Sequence, residues 1–418
     1  MKAEIIAVGS ELLTPDKTDT NSLFMTARLN EAGFEVHRKT VIGDSAEDIA
    51  ELVLEALSRS ALIVISGGLG PTEDDLTRQA VACALRRPLA DDAGLLEVIR
   101  RRFASRGLVM PKINERQAQV IEGAEALENL RGTAPGMWIE ERNTRIVLLP
   151  GPPGELQAMF LASVVPRLST LCSGRRMAHR SVHIVGLTES DVDSRVAQIY
   201  MSYPGVRTTI LASSAQITLN LSQWLMPGET AGGLEELTAR IAEALGDTVY
   251  STSGETLEEI VGRMLRESGS SLAVAESCTS GTVAMRITRV PGSSDYFLGG
   301  VLCYANEVKK SLCAVPACLL EKHGAVSAEV AEALAQGVRR ALNSSIGLSI
   351  TGIAGPGGGS AEKPVGLVYF GMAGAHGCTH ERRIIPGDRE SVRERASTYA
   401  LAYLRRFLLA ESRRNLTP

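Results

Sequence analysis

The first 168 or so residues alternate short apolar runs with amphipathic segments of about ten residues. The runs EIIAVG, FEVHRKTVIG and ALIVISGG have the character of buried strands, and helical periodicity follows each of them, over Asn21–Gly33, about Ala46–Ser58 and from about Asp74. This alternation predicts a parallel sheet covered by helices on both faces. The later run RIVLLPGPPGE predicts one more strand, which ends in a Pro/Gly loop.

Two further segments differ from the first in their pattern of predicted strands and helices. We therefore expect three domains, at residues 1–170, 171–253 and 254–418. In the middle segment the predicted order is strand, helix, two strands, helix, strand, which indicates a small α+β domain. In the third segment helical runs alternate with the strands SSLAVAES, IGLSITG, GLVYFGMAG and THERRIIPG. An α/β fold is therefore expected at the carboxyl end as well.

Composition and net charge indicate which classes of binding partner are not expected. The net charge of −4 and the pI near 6.0 favour neither nucleic acid nor an anionic membrane. The start MKAEIIAVGS lacks the features of a signal peptide, and no apolar run reaches the roughly 18 residues of a spanning helix. The seven cysteines are scattered without a CxxC pair, which predicts reduced thiols. We expect a cytoplasmic protein without membrane association.

The stretch VISGGLGPTEDDLT places glycines at the end of a buried strand. Open parallel sheets bind ligands at the carboxyl ends of their strands. Gly67, Gly68 and Gly70 let backbone N–H groups approach a phosphate without obstruction by a Cβ atom. Thr72 is expected to cap the following helix, whose amino end also favours an anion. The sequence predicts a phosphate site here.

Acidic residues follow these glycines directly. Asp74 and Asp75 would repel a phosphate unless a cation lies between them, and Mg²⁺ accepts carboxylate and phosphate oxygens together. The alternative is that they are ordinary first-turn residues that complement the helix dipole. Three other stretches fit the same site: GSELLTPDKTDTN, LRGTAPGM and LPGPPGE.

These four motifs, in this order, resemble the MoaB/MogA-like, molybdopterin-binding-type domain at the amino end of CinA proteins. The resemblance implies an ADP-ribose pyrophosphatase that depends on Mg²⁺ or another divalent cation, with or without K⁺. The metal ligands then expected are Asp74, Asp75, Asp19 and Glu155. The substrate contacts then expected are Gly67, Gly68, Gly70, Thr72, Asn21, Thr133 and Gly136.

The middle segment resembles the KH-like domain of the same proteins, mainly in the order of its elements. It lacks a GxxG clamp flanked by basic residues, so RNA binding is not predicted. A spacer or a dimerisation element is the favoured interpretation, and we expect a homodimer.

The stretch VAESCTSGT, residues 274–282, puts four potential nucleophiles side by side. A serine needs a base to become a good nucleophile, and none of the six histidines stands in a recognisable triad context. The stretch GGVLCYANEVKKS offers Lys309 close to Tyr304. A buried lysine loses its proton more readily than an exposed one, and serine with neutral lysine is a known arrangement for amide hydrolysis.

The motifs AESCTSG, YANEVK, TGIAGPGGG, KPVG and GDRESVR resemble the CinA carboxyl-terminal domain, a nicotinamide mononucleotide deamidase that needs no cofactor. The resemblance implies Ser277 as nucleophile, Lys309 as general base, Tyr304 as a partner in proton transfer and Thr351 at the active-site strand end. The substrate contacts it implies are Cys278, Thr279, Gly281, Gly352, Gly355 and Arg389, the last for the phosphate. Ser280 stands where relatives commonly carry Gly, so its hydroxyl is not expected to be essential.

Chemistry separates the neighbours of Ser277. Cys278 has no adjacent histidine to make a thiolate, which favours a structural role. Thr279 and Ser280 are expected to cap the following helix. The alternative for the whole stretch is a capping turn without catalysis.

Two classes of function stay open at this point. The first is a pyridine-nucleotide salvage enzyme. It would convert nicotinamide mononucleotide to nicotinic acid mononucleotide and ammonia, and ADP-ribose to AMP and ribose 5-phosphate. The second is a scaffold of competence or DNA-damage response, or a molybdopterin-binding module, with vestigial sites. Intact Asp74, Asp75, Ser277 and Lys309 favour the enzyme.

Overall fold

A computed structural model describes residues 1–171 and 174–415 of the chain. It forms two compact units, one of Met1–Ala178 with Trp224–Thr230 and the other of His179–Gln223 with the chain from Ala231 onward. The division into three domains remains a prediction. Six cysteines are free thiols, as expected, and Cys172 lies outside the described residues.

The first unit is built on a mixed sheet of order β2-β1-β3-β8-β7-β6. The strands are β1 Lys2–Val8, β2 Glu35–Ile42, β3 Leu62–Ser66, β4 Leu89–Asp91, β5 Gln119–Ile121, β6 Glu125–Leu127, β7 Gly136–Glu141 and β8 Thr144–Leu149. The helices are α1 Thr20–Glu31, α2 Ala46–Leu57, α3 Thr77–Leu85, α4 Ala93–Ser105, α5 Pro153–Met159 and α6 Val165–Leu171. Strands β2, β1, β3 and β8 are parallel, and β7 runs antiparallel to β8 and β6.

The central strands of this sheet are buried on both faces. Along β3, Ile63 and Ile65 pack into one apolar cluster, whereas Leu62 and Val64 pack into another on the opposite face. Successive side chains of a strand point to opposite faces, so a continuous apolar run such as LIVIS requires helices on both sides. The α/β class expected from the sequence is confirmed.

The middle segment contains β9 Arg176–Val185, α7 Glu189–Met201, β10 Val206–Ser213, β11 Gln216–Leu225, α8 Gly232–Leu245 and β12 Val249–Ser251. This is the order of elements that the sequence predicts. The strands form one sheet of order β10-β11-β9-β12.

The remaining chain forms a second α/β layer structure. Its strands are β13 Leu272–Glu276, β14 Phe297–Leu302, β15 Ile346–Gly352, β16 Leu367–Gly374 and β17 Gly377–Ile384. Its helices are α9 Leu257–Glu267, α10 Thr282–Thr288, α11 Asn306–Cys313, α12 Ala317–His323, α13 Ala328–Ala341 and α14 Arg389–Asn415. The sheet order is β14-β13-β15-β16-β17.

Strand β13 lies between two parallel neighbours, β14 and β15. Its alternate residues enter two different apolar clusters, Leu272 and Val274 with α9, α10 and α14, and Ala273 and Ala275 with α11 and α13. The carboxyl ends of three parallel strands therefore meet at one edge of the sheet, the usual place for a ligand in such folds. Ser277 is the residue that follows β13.

Candidate functional site

A cavity of about 600 Å³ opens at the carboxyl ends of the parallel strands in the first unit. The predicted site residues that line it are Asp19, Asn21, Gly67, Gly68, Gly70, Asp74, Asp75, Thr133 and Glu155. Three separated motifs and the glycine stretch are thus brought together as the sequence predicts. Thr72 and Gly136 do not line the cavity; Gly136 is buried within β7, where a Cβ would lie 2.6 Å from the carbonyl oxygen of Leu148.

The glycine stretch is held by close backbone packing. Gly67 has φ of 100°, and a Cβ there would lie 2.0 Å from the carbonyl oxygen of Val8. The buried guanidinium of Arg78 donates to the carbonyl oxygens of Leu69 at 2.8 Å and Gly70 at 2.9 Å. Burial lowers the pKa of Arg78 to about 10. The sequence does not predict this role for Arg78, because nothing in the pattern of α3 separates a buried arginine from a solvated one.

The expected helix cap at Thr72 is wrong. Helix α3 begins at Thr77, with Leu76 at its N-cap position and no capping side chain. Instead, Asp75 Oδ2 accepts hydrogen bonds from the Thr72 N–H at 2.9 Å and from the Thr72 hydroxyl. This local turn competes with helix formation, because aspartate and threonine side chains offer the backbone an alternative set of hydrogen bonds.

Most of the predicted metal ligands already have protein partners. Asp19 caps α1 by accepting from the Ser22 N–H at 2.9 Å, and Glu155 accepts from Asn129 Nδ2 at 2.7 Å. Among the described residues, no three His, Cys, Asp or Glu side chains lie close enough together to hold a metal ion. Any cation bound here would need ligands from its substrate or from water.

One polar atom of this cavity has no partner. Asn21 lines the cavity and donates from Nδ2 to the carbonyl oxygen of Gly151 at 2.7 Å. Its Oδ1 is buried and accepts no hydrogen bond within the described chain. Buried polar groups are normally paired, so this oxygen is a candidate contact for a ligand donor or a cation.

In the second unit, Ser277 is fixed at the edge of the sheet. Its N–H donates to the carbonyl oxygen of Ile350 at the end of β15, at 2.9 Å. On the other side, the N–H of Cys303 donates to the carbonyl oxygen of Glu276 at 2.8 Å. Ser277 is 8% exposed, and its hydroxyl has no hydrogen-bond partner among the described residues. The hydroxyl is thus free to meet a substrate or a base.

Lys309 lies beside this edge, on α11. It is 1% exposed, and its Nζ donates to the carbonyl oxygens of Cys303 and Tyr304, both at 2.8 Å. Burial lowers the pKa of Lys309, because desolvation disfavours the ammonium form. A neutral amine has two N–H bonds, so the two carbonyls can fully engage them and leave the lone pair for another group.

The start of α10 is capped by an unexpected residue. Glu276 accepts hydrogen bonds from the N–H groups of Gly281 at 2.9 Å, Val283 at 3.2 Å and Ala284 at 2.8 Å. The expected capping by Thr279 and Ser280 is wrong, since their side chains make no such bond; the N-cap position is Gly281. The N–H of Gly281 is therefore not available for a substrate, contrary to expectation.

Cys278 is built into the core. It is fully buried, and burial raises the pKa of its thiol to about 12. A Cβ on Gly352 would lie 3.1 Å from its Sγ. Because a thiol must ionise to act as a nucleophile, the environment of Cys278 favours the structural role that the sequence suggests.

Ser280 adopts a left-handed backbone, with φ of 49°. Glycine has no penalty in this conformation, so Ser280→Gly is expected to raise the free energy of unfolding by up to about 1 kcal/mol. The hydroxyl that is lost bonds only to the Ser277 carbonyl, at 3.1 Å. Urea unfolding of the variant should show the gain. A free energy of unfolding equal to or below that of wild type would contradict this prediction.

The predicted substrate contacts surround the same edge. Arg389, at the start of α14, donates to the carbonyl oxygen of Gly355 at 2.9 Å and lies 3.5 Å from the hydroxyl of Tyr304. Tyr304 is 64% exposed. Thr351 is buried and donates to the carbonyl oxygen of Ala325 at 2.8 Å, so its hydroxyl holds a loop. Gly352 ends β15.

The fold and the sites define a two-unit α/β protein with a glycine-lined cavity in one unit, and with a buried serine and a buried lysine near one sheet edge in the other. None of the described helices is long and apolar enough to cross a membrane. Residues 4–170 match the family described as a probable molybdopterin binding domain, and residues 254–408 match the CinA C-terminal domain family.

Full-length relatives extend this match over nearly the whole chain. A CinA-like protein of Koribacter versatilis is 48% identical over 98% of this chain and 100% of its own. A putative competence-damage inducible protein of Moorella thermoacetica is 42% identical over 98% and 100%. A crystal structure of CinA from Thermoplasma acidophilum is 30% identical, over 40% of this chain and 99% of its own, with a TM-score of 0.38. Because the first two relatives match over nearly the whole chain, the chain belongs to the CinA family.

Proposed function

We propose that the second unit is a serine–lysine amidase that converts nicotinamide mononucleotide to nicotinic acid mononucleotide and ammonia. The observation that carries the proposal is Lys309, a buried amine whose Nζ is oriented by two carbonyls at the end of β14. Strand β14 is the direct neighbour of β13, which delivers Ser277. Ser277 thus follows one strand, and the residues that hold the Lys309 amine follow the adjacent strand, which suits a nucleophile with a nearby base.

Ser277 attacks the carboxamide carbon while Lys309 takes the hydroxyl proton. The oxyanion that forms needs N–H donors aimed at it. The N–H groups of Cys278, Thr279 and Ser280 have no oxygen acceptor within the described chain. These three donors, rather than that of Gly281, are the ones we assign to the oxyanion. Such a donor is typically worth roughly 3 kcal/mol.

The protonated Lys309 then donates its proton to the leaving nitrogen, and ammonia departs. Tyr304 supplies one of the two carbonyls that hold the Lys309 amine and is 64% exposed, which suits a role as a partner in these proton transfers. Water attacks the acyl-enzyme, and Lys309 accepts the water proton before Ser277 regains it. The guanidinium of Arg389 is exposed to the same side as Tyr304 and suits a bidentate contact with the ribose phosphate.

For the first unit we infer hydrolysis of ADP-ribose to AMP and ribose 5-phosphate. The glycine-lined cavity supports a phosphate-bearing ligand, and the orphaned Asn21 Oδ1 supports a ligand donor or a cation in the same place. Asp74 and Asp75 would hold a divalent cation together with phosphate oxygens and water, the usual mode for Mg²⁺. When bound, this cation would neutralise charge on the pyrophosphate. Titration with ADP-ribose and with molybdopterin would separate this function from that of a molybdopterin module.

Asp75→Asn is expected to abolish metal-dependent AMP release from ADP-ribose and to leave ammonia release unchanged. The amide keeps the shape of the side chain but removes the charge that a cation needs. AMP is measured by chromatography at several Mg²⁺ concentrations.

Thr72→Val is the matched control for this variant. It deletes one of the two Thr72 hydrogen bonds to the Asp75 carboxylate and keeps the charge. We expect it to retain activity within about tenfold. Equal losses in the two variants would mean that Asp75 acts on the turn and not on a metal.

A further inference from the structure

The turn from Ser277 to Gly281 is held by a carboxylate that lies below it. Glu276 is the last residue of β13 and is 1% exposed. Its two oxygens accept from three backbone N–H groups at the start of α10, at 2.8 to 3.2 Å. One side chain therefore joins the residue before the nucleophile to the helix after it.

Ordinary capping does not require such a residue. A Ser, Thr, Asp or Asn at the N-cap position can satisfy a helix start from the protein surface, and in this unit Ser327 caps α13 in that way. At α10 the N-cap position is Gly281, with φ of 94° and no side chain. The donors are taken by a buried carboxylate five residues upstream instead.

That arrangement has an energetic cost. Among the described residues, Glu276 forms no ion pair with a lysine, arginine or histidine. A buried charge without a counter-ion is unfavourable unless hydrogen bonds and dipoles compensate it. Here the three N–H bonds and the amino end of α10 provide the compensation. A surface cap would stabilise the same helix at a lower cost of desolvation.

The Glu276 carboxylate accepts from some backbone N–H groups of this region and not from others. By occupying the N–H groups of Gly281, Val283 and Ala284, the carboxylate leaves those of residues 278–280 without an oxygen acceptor. The peptide of Glu276 is fixed as well, because its carbonyl oxygen accepts from the Cys303 N–H at 2.8 Å. The side chain and the main chain of one residue thus set the position of the whole turn.

We propose that Glu276 is a positioning residue of the amidase, which holds the turn of residues 277–281 so that the Ser277 hydroxyl faces the carboxamide carbon and the N–H groups of residues 278–280 face its oxygen. This assignment rests on the proposed amidase function. Glu276 acts through the turn and does not contact the substrate.

The test compares Glu276→Gln with Glu259→Gln in the full chain. Glu259 is a matched control, because its carboxylate also caps a helix, by accepting from the Thr256 N–H and hydroxyl at the start of α9. In Glu276→Gln the side-chain NH₂ group would face a backbone N–H group, and two donors cannot form a hydrogen bond. We expect its kcat for ammonia release to fall by about 10²-fold, with KM changed by less than threefold.

The control Glu259→Gln should keep kcat within about twofold, because its cap lies at the start of α9 and not at the turn of residues 277–281. Equal kcat values in the two variants would overturn the proposal. If Glu276→Gln fails to fold, Glu276→Asp serves, since it keeps the charge and shortens the reach by one methylene. A tenfold loss of kcat is then expected, and wild-type kcat would overturn the proposal.

A second measurement is independent of the substrate. The rate at which phenylmethanesulfonyl fluoride labels Ser277, followed by mass spectrometry, should fall by tenfold or more in Glu276→Gln and not in Glu259→Gln. If wild-type protein releases no ammonia, the proposed amidase function has failed. The labelling rates still decide whether Glu276 positions the serine: equal rates in wild type and Glu276→Gln would contradict it.

Discussion

Ser277→Ala is expected to lose ammonia release from nicotinamide mononucleotide by about 10³-fold or more. The Ser277 hydroxyl is unpaired among the described residues and directly follows β13, whose neighbour β14 leads into the carbonyls that hold the Lys309 amine. Binding of the nucleotide should persist, because Arg389 and the backbone donors remain. Ammonia release and equilibrium binding of nicotinamide mononucleotide, measured on the same preparation, check both parts.

Cys278→Ala is the companion to this variant. The thiol is buried and its pKa is raised to about 12, so only the backbone N–H of this residue is needed. We expect most of the activity to remain, apart from a loss of stability from the vacated core. An inactive Cys278→Ala together with an active Ser277→Ala would make the thiol the nucleophile and would contradict the mechanism.

Lys309→Met is expected to lower kcat by about 10²-fold or more, because the variant keeps the length of the side chain and removes the amine. In wild type, activity should rise with pH as Lys309 loses its proton. Burial lowers the pKa of this lysine from its ordinary value of 10.5, so the rise should have its midpoint below that value. In Lys309→Met the same limb of the pH profile should be absent.

Lys310→Met provides the control for the loss of one positive charge. Lys310 is the next residue of α11, but its side chain is 43% exposed and lies 3.7 Å from Glu307. Its replacement should leave kcat and the pH profile unchanged. A fully active Lys309→Met would point to another base, with Tyr304 as the first candidate.

The sequence predicts the parts of the fold that depend on local pattern. The run LIVIS reads as a buried strand because all five of its side chains are apolar or small, and the structure buries each of them. Gly67, Gly68 and Gly70 mark the cavity because a Cβ there would collide with a backbone carbonyl oxygen at the first position and with neighbouring side chains at the other two. Strand ends and glycine loops are therefore accessible to sequence reasoning.

The sequence does not predict the hydrogen bonds that polar side chains make to distant parts of the fold. Glu276 reads as the polar end of a strand, yet its carboxylate reaches a helix that begins five residues later. Arg78 reads as a solvated helix residue, yet its guanidinium supports the glycine stretch. The sequence predicts a helix cap at Thr72, because it does not reveal the turn in which the Asp75 carboxylate accepts a hydrogen bond from the Thr72 N–H. Tertiary packing determines the hydrogen-bond partners of these side chains, and the local sequence pattern does not encode that packing.

The most direct test of the amidase is the stoichiometry of the wild-type reaction. Purified full-length protein is incubated with nicotinamide mononucleotide, and ammonia and nicotinic acid mononucleotide are quantified in parallel with the Ser277→Ala variant. We expect one ammonia per nicotinic acid mononucleotide from wild type and almost none from the variant. Absence of both products from folded wild-type protein, or equal amounts from the variant, would contradict it.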